Sequence, residues 1–123
     1  MKKIIIAGGR DFTNYEAVCK ALDSLLPGFD DEVVIISGGA KGGDILGERY
    51  AHEHGLAVIV YSAVWDKYGP KSGPSRNEQM GAITDHLVAF WDGQSKGTEF
   101  LINFMKQLGR PVHLFDYDGN PRE

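Results

Sequence analysis

The chain has 123 residues, of which 42% are hydrophobic and 24% are charged, and its formal net charge at pH 7 is −4. The length favours one domain spanning residues 1–123, and the composition excludes a disordered chain and argues against a polybasic nucleic-acid-binding module. Glycine is in surplus at 16 residues, about twice the average share of roughly 7%, but there is no Gly-X-Y period, which excludes a collagen-like protein.

Five apolar runs are predicted to be strands, because they are short and rich in β-branched or aromatic residues. In chain order they are Lys3–Ala7, Val33–Ser37, Ala57–Tyr61, His86–Trp91 and Pro111–Phe115. Their apolar residues are nearly continuous rather than alternating. This pattern is typical of a parallel sheet that helices cover on both faces.

Four helical patterns fill the intervals between the strands. They begin with a capping box at Thr13–Glu16 and continue with residues 44–54, a start near Ser75, and residues 98–108. The order β-α-β-α-β, a long loop, then α-β-α-β predicts an α/β fold. We expect a doubly wound, Rossmann-like domain whose mainly parallel five-stranded sheet has the order 3-2-1-4-5, with helices on both faces.

The cysteine count and the lengths of the apolar runs indicate the cellular compartment in which the protein works. Cys19 is the only cysteine, so an intrachain disulfide and a cysteine-based metal site are excluded. The first apolar run is shorter than the roughly 7–15 residues of a signal peptide, and no run reaches the length of about 18 residues that a membrane span needs. We therefore expect a cytoplasmic protein with no membrane partner and no metal, and a frayed polar tail at residues 116–123.

Ten of the 16 glycines fall in four segments that follow predicted strand ends: Gly8–Thr13, Ser37–Asp44, Ser62–Asn77 and Trp91–Thr98. In the predicted sheet all four lie at the carboxyl edge, where ligands bind near the point at which the strand order reverses. Glycine lets backbone N–H groups approach a ligand, and a helix N-terminus favours anions. The pattern predicts a phosphate cradle, and its alternative is a set of tight turns without a ligand.

Charged residues of both signs lie in and beside these segments. Such a mixture suits a small ligand with phosphate and ribose hydroxyls better than a nucleic-acid strand, which favours a basic stripe. Asp44-Ile45 follows Gly38–Gly43 where a phosphate loop would have Lys-Ser or Lys-Thr, which argues against a Walker-type triphosphatase. The first segment has no G-x-G-x-x-G, so an ordinary NAD dehydrogenase is not supported.

Motifs in all four segments, within residues 3–115, carry a family resemblance. The first two segments contain GGRDF at 8–12 and SGGAKGGD at 37–44. The third contains Trp65, Tyr68-Gly69-Pro70, Gly73-Pro74 and Arg76-Asn77. The fourth contains FWDG at 90–93, followed by Ser95 and Gly97-Thr98. Together they resemble the YspA-like family of the SLOG superfamily. The resemblance implies a Rossmann-like fold and a nucleotide-derived ligand such as ADP-ribose or an NAD-related molecule, with no other cofactor, and it leaves a homo-oligomer open.

The motifs and the resemblance together give a set of expected ligand-binding residues. Backbone groups would hold phosphates, basic side chains would add charge, carboxylates would contact ribose hydroxyls, and Trp65 or Tyr68 would border the base. The full set is Gly8, Gly9, Arg10, Ser37, Gly38, Gly39, Lys41, Gly42, Asp44, Trp65, Tyr68, Arg76, Asn77, Asp92, Gly93, Ser95, Gly97 and Thr98.

Two relatives in the superfamily leave other functions open. Lonely Guy phosphoribohydrolases, which cleave the base from a nucleoside monophosphate, have a P-G-G-x-G-T-x-x-E motif and an upstream arginine. Here Arg76 and Glu99 are the catalytic candidates, although Leu101 occupies the position of the motif's acid. The DNA-processing protein A family binds single-stranded DNA, and its S-G-x-A-x-G-x-D motif is similar to residues 37–44. The acidic net charge of this chain argues against nucleic acid as its partner.

Overall fold

Parallel strands form the centre of the protein. The computed structural model describes residues 1–38, 42–60 and 83–122. The elements are β1 Lys2–Gly8, α1 Tyr15–Leu25, a 3-10 turn Leu26–Gly28, β2 Val33–Ser37, α2 Gly43–Glu53, β3 Ala57–Val60, β4 His86–Phe90, α3 Lys96–Gln107 and β5 Val112–Phe115. The helix predicted near Ser75 lies outside the described residues.

The strand order confirms the predicted doubly wound topology. The five strands have the order β3-β2-β1-β4-β5, and every neighbouring pair is parallel. β1 lies at the centre, where Ile5 pairs with Ile36 of β2 on one side and with Leu87 of β4 on the other. The strand order reverses between β1 and β4, and the turns that follow these two strands flank this point.

Alternate residues of β1 belong to two hydrophobic cores, one on each face of the sheet. Ile4 and Ile6 pack with residues of α1 and α2, including Leu22. Ile5 packs with residues of α3, including Met105. All three isoleucines are fully buried, and each buried aliphatic side chain contributes about 1.5–3 kcal/mol. This arrangement confirms the helices on both faces that the continuous apolar runs predicted.

The start of α1 differs from the prediction. The helix begins at Tyr15, and its cap is Asn14 rather than Thr13. The Asn14 side-chain oxygen accepts a hydrogen bond from the Ala17 N–H at 3.2 Å, while its amide nitrogen donates to the carbonyl of Tyr117 at 3.0 Å. Both ends of the Asn14 amide are therefore used, which accounts for the choice of Asn14 as the cap.

The polar C-terminal segment is folded, so the prediction of a frayed tail was wrong. Asp116 accepts hydrogen bonds at Oδ1 from the N–H groups of Asp118 and Asn120, at 2.9 and 3.0 Å, and closes a turn. The chain then returns beside β5, where the Arg122 N–H donates to the Leu114 carbonyl at 2.8 Å. We call residues Asp116–Arg122 the C-terminal strap.

Two histidines near β4 and β5 predict a dependence of stability on pH. His86 Nδ1 and His113 Nε2 lie 3.2 Å apart. Burial lowers the pKa of both imidazoles, with added effects from Lys2 on His86 and from His86 on His113. Because the folded-state pKa values lie below the ordinary value of 6.5, their contribution to stability is complete above about pH 6.5 and is lost as the pH falls through the folded pKa values.

We therefore expect urea unfolding at pH 5.5 to require less denaturant than at pH 7.5. A His86→Gln, His113→Gln double variant should show a weaker change over the same interval, because it has lost both titrating groups. Exposed His52 on α2 is the matched control, and His52→Gln should leave the change as it is. An equal pH dependence in the parent and the double variant would contradict this assignment.

Candidate functional site

Three turns meet at the carboxyl edge of the sheet, where the strand order reverses. They follow β1, β2 and β4 and lead into α1, α2 and α3. Because β2 and β5 lie on opposite sides of the β1–β4 pair, the connections leave this pair in opposite directions. In open α/β sheets this is the place where a ligand-binding crevice is expected. The turns are in contact here, since a Cβ atom on Gly9 would lie 3.6 Å from the Cβ of Ser95.

The β1–α1 turn packs backbone to backbone against the start of α2. A Cβ atom on Gly42 would overlap the carbonyl of Gly9, and one on Gly43 would overlap the main chain at Ala7 and Gly8. Gly42 also has a φ of +86°, which side chains rarely adopt. Packing alone therefore requires glycine at positions 42 and 43. This observation agrees with the tight-turn explanation for these two residues.

Three aromatic side chains pack against one another at the β1–α1 turn. The Phe12 ring stacks on Phe90 at the end of β4, with 4.7 Å between ring centroids, and the Tyr117 ring lies 4.8 Å from Phe12. Phe12 is 1% exposed, and its N–H donates to the Gly9 carbonyl at 3.0 Å. The cluster connects the two sides of the crevice and fixes their spacing.

Side chains of the β4–α3 turn hold its shape. Asp92 Oδ1 accepts hydrogen bonds from the N–H groups of Ser95 and Gln94, at 2.9 and 2.8 Å, and these bonds lower the pKa of the Asp92 carboxyl. The Trp91 ring nitrogen donates to the Ser95 carbonyl at 3.1 Å, and the Ser95 hydroxyl donates to the Thr98 hydroxyl at 3.1 Å. Asp92 is therefore ionised at neutral pH and keeps the turn in a fixed conformation.

The first turn of α3 presents an open backbone. The Ser95 side chain makes no capping hydrogen bond to the helix, so it leaves the N–H groups of the first turn without that partner. Apart from its chain neighbours and the backbone of its own helix, no described residue has a heavy atom within 4 Å of the position that a Cβ on Gly97 would take. Packing within the described residues therefore gives no reason for glycine at this position, in contrast to Gly42 and Gly43.

Polar residues of the other two turns lie at the same edge. Arg10 and Asp11 are exposed at the β1–α1 turn, and Asp44 is half-buried in the first turn of α2. Ser37 is fully buried at the end of β2, and its hydroxyl donates to Glu48 Oε2 on α2 at 2.6 Å. This bond holds the middle of α2 against the end of β2, and Glu48 is a residue of this region that the sequence did not predict.

Glu99 follows Thr98 in the first turn of α3, and its N–H donates to the Ser95 carbonyl at 3.1 Å, but its side chain lies elsewhere. It lines a groove along α3 whose other described lining residues are Lys96, Phe100, Asn103, Phe104 and Gln107. The buried residues of α3 are Thr98, Leu101, Ile102 and Met105, on the opposite side of the helix. The carboxylate of Glu99 therefore lies on the side of α3 that faces away from the sheet.

Several predicted site residues cannot be placed, because they lie outside the described ranges. They are Gly39, Lys41, Trp65, Tyr68, Arg76 and Asn77. The described part of the predicted set comprises Gly8, Gly9, Arg10, Ser37, Gly38, Gly42, Asp44, Asp92, Gly93, Ser95, Gly97 and Thr98. All twelve lie at or next to the three turns of the carboxyl edge.

The C-terminal strap supplies residues at this edge that the sequence analysis missed. The Tyr117 hydroxyl donates to Asp11 Oδ1 at 2.8 Å, and burial together with this hydrogen bond raises the pKa of Tyr117 well above its ordinary value. The phenol therefore remains protonated and acts as a donor. The available sequence signal was the Asp118-Gly119 pair, which is typical of a turn that returns the chain.

The parallel sheet, its strand order and its two helical layers define a Rossmann-like α/β protein. The chain belongs to the YspA, cpYpsA-related SLOG family, whose sequence model matches residues 2–68. The Gene 61 protein of Mycobacterium phage D29 is 31% identical over 121 residues, which cover 94% of this chain and 97% of that protein. These findings confirm the family that the motifs resemble.

Two solved structures share the fold. DNA processing protein A from Streptococcus pneumoniae has a TM-score of 0.70 at 20% identity, over 92% of this chain and 49% of that chain. The structure of TM1055 has a TM-score of 0.65 at 20% identity, over 91% of this chain and 72% of that chain. The chain thus spans about half the length of DNA processing protein A. At 20% identity these likenesses show the fold alone.

Within the described ranges, no helix is long and apolar enough to cross a membrane.

Proposed function

We propose that this protein binds a nucleotide or a nucleotide-derived ligand in the crevice at the carboxyl edge of the sheet, as a sensor or a sequestering module. The observation that carries the proposal is the open first turn of α3, where packing against the described residues does not require glycine at position 97. Anions bind well at such positions, because backbone N–H groups point outward and the helix dipole favours negative charge. Membership of the SLOG family supports a nucleotide-related ligand.

The charges around the crevice support a ligand that carries both phosphate and hydroxyl groups. Arg10 provides an exposed guanidinium on the β1–α1 turn, and Asp11 and Asp92 provide carboxylates on the turns after β1 and β4. Guanidinium groups bind phosphate oxygens, while carboxylates accept hydrogen bonds from hydroxyls. A ribose phosphate satisfies both, so ADP-ribose, NAD-like molecules and nucleoside monophosphates are the compounds to test.

The position of Glu99 favours a protein that binds the nucleotide without cleaving it. A phosphoribohydrolase requires a carboxylate at the reacting sugar, and Glu99 faces away from the sheet on the outer side of α3. The other candidate of this alternative, Arg76, lies outside the described residues. Incubation of the protein with AMP, followed by chromatography for free adenine, distinguishes the two functions, and we expect no release above the rate in buffer.

A thermal-shift panel of AMP, ADP-ribose, NAD and cyclic ADP-ribose tests the proposal directly. A ligand at 100 times its Kd should stabilise the protein by about 2.7 kcal/mol, which is an increase of roughly 10 °C in Tm for a chain of this size. We expect at least one compound to give a shift of this order, and ribose 5-phosphate and adenosine to give smaller ones. The absence of a shift with every compound would refute the proposed function.

The alternative to a small nucleotide is a nucleic-acid ligand, which the thermal-shift panel does not test. The fold is shared with DNA processing protein A, so retention of single-stranded oligonucleotide on a filter should be measured at 50 and 200 mM salt. Binding through many phosphates weakens steeply over this interval. We expect no retention at either concentration, and strong salt-dependent retention would favour nucleic acid over a small ligand.

A further inference from the structure

The C-terminal strap connects the two turns that flank the crevice. At the β1–α1 side, Tyr117 donates to Asp11, and its carbonyl accepts from Asn14. At the β4–α3 side, Arg122 Nη1 donates to the carbonyl of Trp91 at 2.9 Å. Gly119, between these contacts, is buried against Ala17 of α1. The strap is therefore a fixed part of the carboxyl edge and not a loose extension.

The strap places a guanidinium on the turn that leads into α3. The Arg122 guanidinium lies 5.1 Å from the centroid of the Trp91 ring. Its Nη2 atom lies 2.8 Å from the position that a Cβ on Gly93 would occupy, and Gly93 has a φ of +85°. A side chain at residue 93 would displace the guanidinium. Glycine at this position thus leaves space for a charged group of the chain itself.

Arg122 makes no direct ion pair with another described residue. The ion pairs found among the described residues are Met1 with Asp31 and Arg49 with Glu53, and neither includes Arg122. Its direct contacts are a neutral carbonyl and an aromatic ring, which fix the position of the guanidinium. The Asp92 carboxylate of the same turn lies near enough for the Arg122 charge to lower its pKa, but not within ion-pair distance. A guanidinium has five N–H donors in a planar fork that matches phosphate oxygens. A fixed, half-buried guanidinium with unused donors is suited to bind an anion.

We propose that Arg122 binds a phosphate group of the ligand at the β4–α3 turn, held in place by Trp91 and by the Tyr117–Asp11 contact of the strap. This inference rests on the proposed function, because it assigns a phosphate-binding residue to the same crevice. It adds a residue from the last turn of the described chain to a site that the sequence motifs limit to residues 8–98. The preferred ligand class is a nucleotide with at least one phosphate, over the corresponding nucleoside.

The test compares phosphate-bearing and phosphate-free probes on matched arginine variants. AMP and ADP-ribose are titrated into the parent protein, Arg122→Gln, Arg122→Lys and Arg110→Gln, with adenosine as the phosphate-free probe. Arg110 is the control, because its guanidinium likewise donates to a main-chain carbonyl, that of Thr84, which precedes β4 at the opposite edge of the sheet. The Tm of each unliganded variant is recorded alongside.

We expect Arg122→Gln to lower the affinity for AMP and ADP-ribose at least tenfold, while the affinity for adenosine changes less than twofold. Arg122→Lys should have an intermediate affinity for AMP and ADP-ribose, because it keeps the positive charge but lacks the planar guanidinium. This variant replaces Arg122→Gln in the test if the glutamine variant does not fold. Unchanged AMP affinity in Arg122→Gln, or an equal loss for AMP and adenosine, would overturn this inference and leave the proposed function standing. A parent protein that binds none of the probes would overturn both.

Discussion

A Gly43→Ala variant is expected to lose about 3 kcal/mol of unfolding free energy, which is a large part of the stability of a small domain. The added Cβ would overlap the main chain of β1 at Ala7 and Gly8. These atoms belong to the central strand, which is hydrogen-bonded on both sides, so they cannot move without disturbing the sheet. Urea unfolding monitored by circular dichroism gives the change in free energy directly.

The matched control for this variant is Gly28→Ala. Gly28 is exposed at the end of the 3-10 turn after α1, and a Cβ there would meet no heavy atom within 4 Å. We expect this substitution to change the unfolding free energy by less than about 0.5 kcal/mol. If Gly43→Ala were as stable as Gly28→Ala, the close packing of α2 against the β1–α1 turn would be disproved.

A Gly97→Ala variant is expected to fold at least as well as the parent and to lose ligand affinity. Alanine in a helix is favoured over glycine by about 0.5–1 kcal/mol, and the open space at residue 97 accepts a methyl group without a clash. If the backbone of this turn contacts phosphate, the methyl group occupies the approach of the ligand, and we expect at least a tenfold loss of AMP or ADP-ribose affinity. Calorimetric titration and the Tm of the unliganded protein measure the two effects separately.

The control for Gly97→Ala lies on the same helix but away from the crevice. Asn103 is exposed and lines the groove on the outer side of α3, so Asn103→Ala should leave ligand affinity unchanged. Equal affinity in Gly97→Ala and Asn103→Ala would show that the first turn of α3 does not contact the ligand. Gly97 would then be a surface glycine without a functional role.

The sheet and its topology were predictable because their determinants are local. Continuous apolar runs such as Val33–Ser37 indicate strands buried on both faces, and alternation with helical patterns restricts the strand order. The cap of α1 was not predictable in the same way. Asn14 is held by the carbonyl of Tyr117, a contact between residues separated by 103 positions. No local pattern distinguishes Asn14 from the Thr13 that precedes it.

The sequence predicted which edge of the sheet the glycine-rich turns share, and the ligand-binding role of these turns stays a prediction. Glycine at strand ends indicated the carboxyl edge, and the described glycines of the predicted set do lie there. Close packing requires glycine at position 42 but not at position 97. The sequence could not show this difference, because it depends on the distance between two turns. Arg122 was missed for a related reason. A polar segment rich in aspartate is typical of a tail, and only the contact of Arg122 with Trp91 places this segment at the carboxyl edge.

The crevice is built from parts of the chain that are distant in sequence, and this affects when it forms during folding. Gly8 pairs with Phe90, and Tyr117 donates to Asp11 across 106 positions. Contacts of this kind form later than local ones, because a long loop must close first. We expect β1, α1, β2 and α2 to assemble early, and the carboxyl edge of the sheet to be completed only when β4 and the strap have docked. A ligand of this edge would therefore select fully folded chains over partly folded intermediates.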